Sequence, residues 1–242
     1  MPKFAHAIVI GASSGIGREL VRLLAAEGTK VAAVARREEE LRKLAEEFPA
    51  LVEPIAHDVT DYNAVPALFQ EITKSLGGLD LVVYASGVMP QVGADEYDFA
   101  KDRQIMEVNI LGAMAWLDQA AIRFGNIGSG SIVGIGSVAG DRGRAGQPAY
   151  NASKAAFATY LEALRNRLSK KGVKVVTIKP GPVDTPMTAG LGLKGAMPVQ
   201  VAAKKILAKA DKPGEHYLKL THRGIFFVIR HVPSFVFRRL KL

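Results

Sequence analysis

Ala7-Ile8-Val9-Ile10-Gly11-Ala12-Ser13-Ser14-Gly15-Ile16-Gly17 is the stretch on which the fold turns. Four apolar residues run directly into a glycine loop, and a helical pattern takes over near Arg18. A continuous apolar run suits a strand covered on both faces, as in a parallel sheet. Glycines after it let the backbone turn sharply, approach a pyrophosphate and bring the next helix close, while the N–H groups of that helix face the anion. The spacing is G-x-x-x-G-x-G, and no Gly-Lys-Ser/Thr follows, so this is not a P-loop. Residues Gly11, Ser13, Ser14, Gly15, Ile16 and Gly17 are therefore read as a dinucleotide cradle.

The same alternation continues outward. Apolar or β-branched runs recur at residues 6–10, 30–34, 51–56, 79–84, 131–135 and 173–178, with a last strand expected at residues 216–220. Helical periodicity fills the intervals: Leu20, Leu23 and Leu24 share one face of the first helix, Leu41 and Leu44 one face of the second. Repeated βαβ units predict an α/β fold, a doubly wound (Rossmann) parallel sheet of about seven strands with helices on both faces. No repeat or Pro/Ser-rich linker divides the chain. Residues 1–220 are read as one domain, with a glycine-rich loop at 181–198 containing Gly190, Gly192 and Gly195, and residues 221–242 as a tail.

Composition narrows the function classes. The 242 residues contain no cysteine, so thiolate metal sites and disulfide frameworks are absent, and a cytoplasmic location is the default expectation. The opening residues read as a first strand and not as the apolar region of a signal peptide. Net charge is +9, of which residues 213–242 carry +5. The body has no basic helix or RNA-binding aromatic signature, so nucleic acid is not expected as a partner. Small anionic ligands and anionic membrane surfaces fit the charge better.

After the second strand, where an acid commonly holds an adenosine ribose 2′-hydroxyl, the chain has Ala35 followed by Arg36 and Arg37. Two guanidinium groups there pair with a 2′-phosphate, which favours NADP(H), with NAD(H) as the second cofactor. Asp58, beyond the third strand and next to Val59, could accept the adenine amino group.

Tyr150 and Lys154 are four apart in a segment with helical pattern, so their side chains share a face. A phenol titrates near 10, and a neighbouring ammonium is expected to favour the tyrosinate and bring it toward working pH. Ser137 stands thirteen residues upstream of Tyr150, just past a strand, where a parallel sheet opens its ligand crevice. Its hydroxyl can polarise a carbonyl.

Taken in order, these motifs resemble the short-chain dehydrogenase/reductase family over essentially the whole chain. Gly11 to Gly17 resembles its cofactor loop, Asp58-Val59 its adenine site, Asn109 its helical asparagine, and Ser137, Tyr150 and Lys154 its remaining catalytic residues. Ala85 and Gly87 fall on the family's strand-four segment, and Pro180, Gly181, Val183 and Thr185 on the segment that meets the nicotinamide carboxamide. The resemblance implies that Tyr150 protonates the substrate oxygen as hydride arrives, that Ser137 orients that oxygen, and that Lys154 holds the ribose hydroxyls. It further implies that Asn109 holds a water linking Lys154 to solvent, and that the protein is a homodimer or homotetramer. Two departures stand out. Ile10 replaces the usual threonine, and Tyr84-Ala85-Ser86-Gly87 replaces Asn-Asn-Ala-Gly.

Segments 88–93, 138–147 and 185–196 are expected to shape the substrate pocket, which is largely apolar, with Arg142 and Arg144 available to an anionic group. The tail alternates bulky apolar groups with arginines and is broken by Pro233. Its runs are too short to span a bilayer but suit an interfacial helix, a peripheral contact at the inner face of the membrane. Packing on the core, capping of the pocket or a subunit contact are the other readings of the tail. Together with Gly140-Asp141-Arg142-Gly143-Arg144, the segment from Val228 to Pro233 resembles the branch containing decaprenylphosphoryl-2-keto-pentose reductases. The expected activity is interconversion of a ketone and a secondary alcohol on a small or lipid-like substrate. A lipid-linked keto-sugar is the alternative substrate, and a non-catalytic dinucleotide-binding regulator or scaffold the alternative class.

Overall fold

The computed structural model describes residues 2–93, 95–192 and 195–239. Seven strands form one sheet: β1 (His6–Ile10), β2 (Lys30–Ala35), β3 (Val52–Ala56), β4 (Leu81–Tyr84), β5 (Gly130–Ile135), β6 (Val173–Lys179) and β7 (Gly214–Tyr217). Their order is β3-β2-β1-β4-β5-β6-β7, with every pairing parallel. The chain leaves β1 toward one edge and returns at β4 to build the other. The switch point between β1 and β4 is where an open α/β sheet leaves a crevice at the strands' carboxyl ends.

Period-two alternation distributes the strand residues between two cores. Ala7, Val9, Val31 and Ala33 face a layer with α1 (Gly15–Ala26), α2 (Glu38–Glu47) and α7 (Val199–Leu207). Ile8, Ile10, Ala32 and Val34 face α3 (Val65–Leu76), α5 (Gly112–Ile127) and α6 (Pro148–Leu168). Both layers are dominated by residues at or near zero exposure, which explains why the strands read as unbroken apolar runs.

Three expectations shift. The first helix begins at Gly15, three residues before Arg18, so the cradle glycines themselves form its first turn. Leu20 and Leu24 of that helix are buried, whereas Leu23 lies at the margin. The last strand is residues 214–217 and not 216–220; Leu218 is buried, and Leu220 already starts a helix. That helix is α8 (Leu220–His231), and α9 (Ser234–Phe237) follows the Pro233 break. The expected loop at 181–198 is pinned by a parallel bridge between Val183 and Met197, while Leu193 and Lys194 within it lie outside the described residues. Between α4 (Phe99–Met106) and α5 the chain makes one π-helical turn, Glu107–Leu111.

Candidate active site

The glycine loop is shaped by two close approaches. Gly11 adopts φ +91°, and a Cβ there would stand 2.5 Å from the Ser86 nitrogen. A Cβ on Gly17 would stand 2.2 Å from the Gly11 carbonyl oxygen, so only glycine lets α1 pack this tightly on its own loop. Ser14, extended at the N-cap, makes no side-chain capping bond, and the first turn of α1 has no acid. The helix start is thus a concave set of N–H groups uncountered by negative charge.

Arg37 reaches back across this loop, donating to Ser13 Oγ at 3.1 and 3.0 Å and to Ser14 Oγ at 2.7 Å. Arg36 lies 3.6 Å from Asp58 and is largely exposed. Burial alone would raise the Asp58 carboxyl. The Thr60 N–H and hydroxyl, at 3.0 and 2.9 Å, together with Arg36, outweigh it and hold the group below the ordinary range. Two guanidiniums at the β2 end beside a glycine cradle suit a doubly anionic ribose phosphate next to a pyrophosphate. The residues present therefore fit a phosphorylated dinucleotide.

The catalytic candidates sit farther along the same cleft. Tyr150 and Lys154 project from α6, with the Lys154 Nζ 5.7 Å from the Tyr150 ring centroid. Nζ donates to the Ile135 carbonyl at 3.1 Å. Burial lowers the Lys154 ammonium to about 8. Burial raises the Tyr150 phenol, opposed by the neighbouring Ser137 hydroxyl and by the charge of Arg144. In this structure desolvation is the largest influence on the phenol and moves it away from working pH, opposite to the direction expected from the ammonium and an oxidised nicotinamide. Ser137 is itself oriented: its Oγ accepts from the Ala139 N–H at 3.0 Å, and the flanking Gly136 and Val138 N–H groups donate to Ile178 and Pro180 on the neighbouring strand and its exit.

One cleft is lined by all of Gly11, Ser13, Ser14, Gly15, Ile16, Gly17, Arg36, Arg37, Asp58, Val59, Ala85, Gly87, Ser137, Tyr150, Lys154, Pro180, Gly181, Val183 and Thr185. Asn109 is not among its lining residues. Its amide Nδ2 donates to Val88 O and to Ser153 Oγ, both at 3.1 Å, and its Oδ1 accepts the Val88 N–H at 2.8 Å. Ser153 in turn donates to the Tyr150 carbonyl at 2.9 Å. Asn109 thus braces the substrate-side segment after β4 against the helix that carries Tyr150. The π-helical turn delivers this 1%-exposed side chain to the contact.

Among the lining residues, His57 had no role in the sequence reading. His57 meets Trp116 edge-on at 5.5 Å, and burial holds its imidazole below the ordinary value. Met187 and Thr188, in the 185–196 segment expected to shape the pocket, also line the cleft, and Thr188 Oγ1 closes the turn by donating to Val183 O at 2.6 Å. Tyr84 is the substitute for the missing asparagine. Buried, it donates to Val108 O at 2.6 Å and packs edge-on against Phe157. Its place in the motif marked it as a departure, but only the fold shows what it touches. Arg142 turns away from the cleft, donating to Arg230 O at 3.0 Å and to Ser234 Oγ at 3.3 Å. Of the two loop arginines, Arg144 is the one whose charge favours the Tyr150 phenolate, though it does not line the cleft.

Comparisons with known proteins agree with this geometry. Residues 5–194 match the family model for short chain dehydrogenases. An uncharacterized oxidoreductase of Myxococcus xanthus is 40% identical over 189 residues, covering 77% of this chain and 75% of the relative. An uncharacterized oxidoreductase of Staphylococcus aureus is 34% identical, covering 76% and 80%. Among solved structures, a short-chain dehydrogenase of Streptomyces avermitilis superposes with TM-score 0.84 at 25% identity, covering 93% and 92%. A Burkholderia cenocepacia short chain dehydrogenase, solved in complex with NADP, has the same fold, with TM-score 0.85 at 24% identity over 98% of both chains. With its sheet order, its cradle and most of its length matched, this chain belongs to the short-chain dehydrogenase/reductase family and is an NAD(P)-dependent oxidoreductase.

Proposed function

We propose that the enzyme interconverts a ketone and a secondary alcohol with NADPH as the preferred reductant, Tyr150 serving as general acid and base. The observation that carries this reading is the meeting of Tyr150, Ser137 and Lys154 on one cleft with the glycine cradle, the Lys154 Nζ 5.7 Å from the Tyr150 ring centroid. A bound nicotinamide supplies a hydride to the carbonyl carbon. The protein's part is to receive the charge this leaves on oxygen: Ser137 donates to that oxygen, and Tyr150 delivers the proton that completes the alcohol. Lys154, held by the Ile135 carbonyl, places positive charge behind the phenol and toward the ribose hydroxyls. Asn109 acts behind them, aligning α6 and holding a water path to Lys154.

Arg36 and Arg37 support the preference for a 2′-phosphate, with NADH as the weaker cofactor. The substrate is read as a small-molecule or lipid-like carbonyl compound. A second reading, reduction of a lipid-linked keto-sugar, is favoured by Arg144, whose charge reaches the Tyr150 phenol. Homodimeric or homotetrameric assembly and a cytoplasmic place with peripheral contact at the membrane's inner face belong to the same proposal. A purely regulatory or scaffold role is disfavoured by the intact Ser137, Tyr150 and Lys154.

The test follows NADPH oxidation across a panel of ketones. Tyr150→Phe is expected to lose about 10²- to 10⁴-fold in rate while its NADPH affinity stays near wild type and tighter than that for NADH. Arg36→Ala with Arg37→Ala should erode the cofactor preference. Undiminished turnover by the Phe variant would overturn the assignment of the acid.

A further inference from the structure

Helix α8 presents apolar groups on two sides. Toward the body, Phe226 stacks on Tyr217 with centroids 6.4 Å apart, and His222 sits so close to Gly181 that a Cβ there would come within 2.3 Å of its ring. Toward solvent stand Leu220, Ile225, Phe227 and Val228, at 88, 51, 65 and 60% exposure. Phe235, past the Pro233 break, is 60% exposed as well. No residue of α8 is buried. A helix on a water-facing surface keeps its polar side outward, and one apolar around most of its circumference belongs between two apolar media.

Charge identifies the second medium. Between His216 and Arg239 the chain has Lys219, Arg223, Arg230, Arg238 and Arg239 and no acidic residue. Arg230 is engaged by Asp141 and Glu215, and Lys219 by the Gly195 carbonyl. Arg223, Arg238 and Arg239 are exposed beside the apolar face. A second copy packed isologously on this face would set these cations against their own images. An anionic bilayer pairs them with lipid phosphates while Phe227, Val228 and Phe235 enter the acyl boundary.

We propose that α8 and α9 form a docking surface for anionic phospholipid, held beside the substrate end of the cleft. The attachment is specific. Lys219 ties the start of α8 to the 185–196 segment through Gly195. Arg142 and Asp141, in the segment after Ser137, hold its end through Arg230 and Ser234. Arg142 also lies over the Phe237 ring at 4.7 Å. Two of the three segments expected to shape the substrate pocket are thereby fastened to the docking helix, so a docked molecule opens its cleft next to lipid. The docking deepens the peripheral contact proposed above; that a lipid-borne carbonyl enters there rests on the proposed reduction.

The test is cosedimentation of the full chain with vesicles of phosphatidylcholine alone or mixed with phosphatidylglycerol, at low and high salt. Partition onto the anionic vesicles, weakened by salt, is expected. Replacing Arg223, Arg238 and Arg239 by alanine should weaken it on the order of 100-fold, about fivefold for each cation. Phe227→Ser with Phe235→Ser should abolish it at either salt concentration, and both variants should bind NADPH as wild type, which reports an intact fold. Absence of binding to anionic vesicles, or equal binding by the variants, overturns the proposal. So does a dimer in sedimentation that dissociates in the Phe227→Ser, Phe235→Ser variant, since that gives the face to a second copy. A protein that docks but reduces no ketone retains the docking and removes the lipid-substrate reading.

Discussion

Burial of Lys154 against the Ile135 carbonyl brings its ammonium down to about 8, while burial pushes the Tyr150 phenol upward. For reduction, Tyr150 must hold its proton and Lys154 its charge, and both conditions are met at neutral pH. As pH rises through about 8, Lys154 loses its proton first, so kcat/KM for carbonyl reduction should fall there while Tyr150 is still protonated. Lys154→Arg, whose guanidinium stays charged, should remove that limb or move it to higher pH even if the overall rate drops. Initial rates of NADPH oxidation across pH check this, and an unmoved limb would assign it to another group. The spacing of Tyr150 and Lys154 made the shared face legible. The balance of forces on the phenol was not, because desolvation depends on what distant elements cover the site, and Arg144 becomes a neighbour of Tyr150 only once the 141–147 segment is folded.

At the scale of elements, βαβ alternation carried most of the architecture, since five of the seven strands are buried along nearly all their length, while β3, at one sheet edge, is buried only at Val52. The seventh, at the sheet edge, is half-exposed and polar at Glu215 and His216, and so gave no strong pattern to place its ends. The π-helical turn that sets Asn109 had no visible sequence signal. Nor did the consequence of the two departures from the family motif. Ile10 simply joins the core. Tyr84 fastens the end of β4 to the π-helical turn through Val108 O, one residue before Asn109. Tyr84→Phe keeps the ring but removes the buried bond from its hydroxyl to that carbonyl, which should cost about 0.5–1.5 kcal/mol. Urea unfolding measures this; a loss well below that range would mean the Val108 carbonyl finds another donor.

Across the whole molecule, the contacts that hold the tail join residues some ninety positions apart, beyond any local pattern. Asp141 is their centre. Its carboxylate, with the side chain fully buried, accepts from Lys179 at 2.7 Å and from Tyr217 at 2.9 Å and is paired with Arg230. Lys179 is 2% exposed and also meets Glu215 at 2.7 Å. A buried pair that loses one member leaves the other uncompensated, a loss of about 3–5 kcal/mol. Glu215 remains beside Lys179, so Asp141→Ala should fall near the lower end of that range. Arg230 is partly exposed and contributes through a screened contact, so Arg230→Ala should cost roughly 1 kcal/mol or less. Denaturant titration of the two variants therefore predicts a much larger loss for Asp141→Ala. The reverse order would show that the tail, and not the pairing of Asp141 with β6, anchors the segment after Ser137.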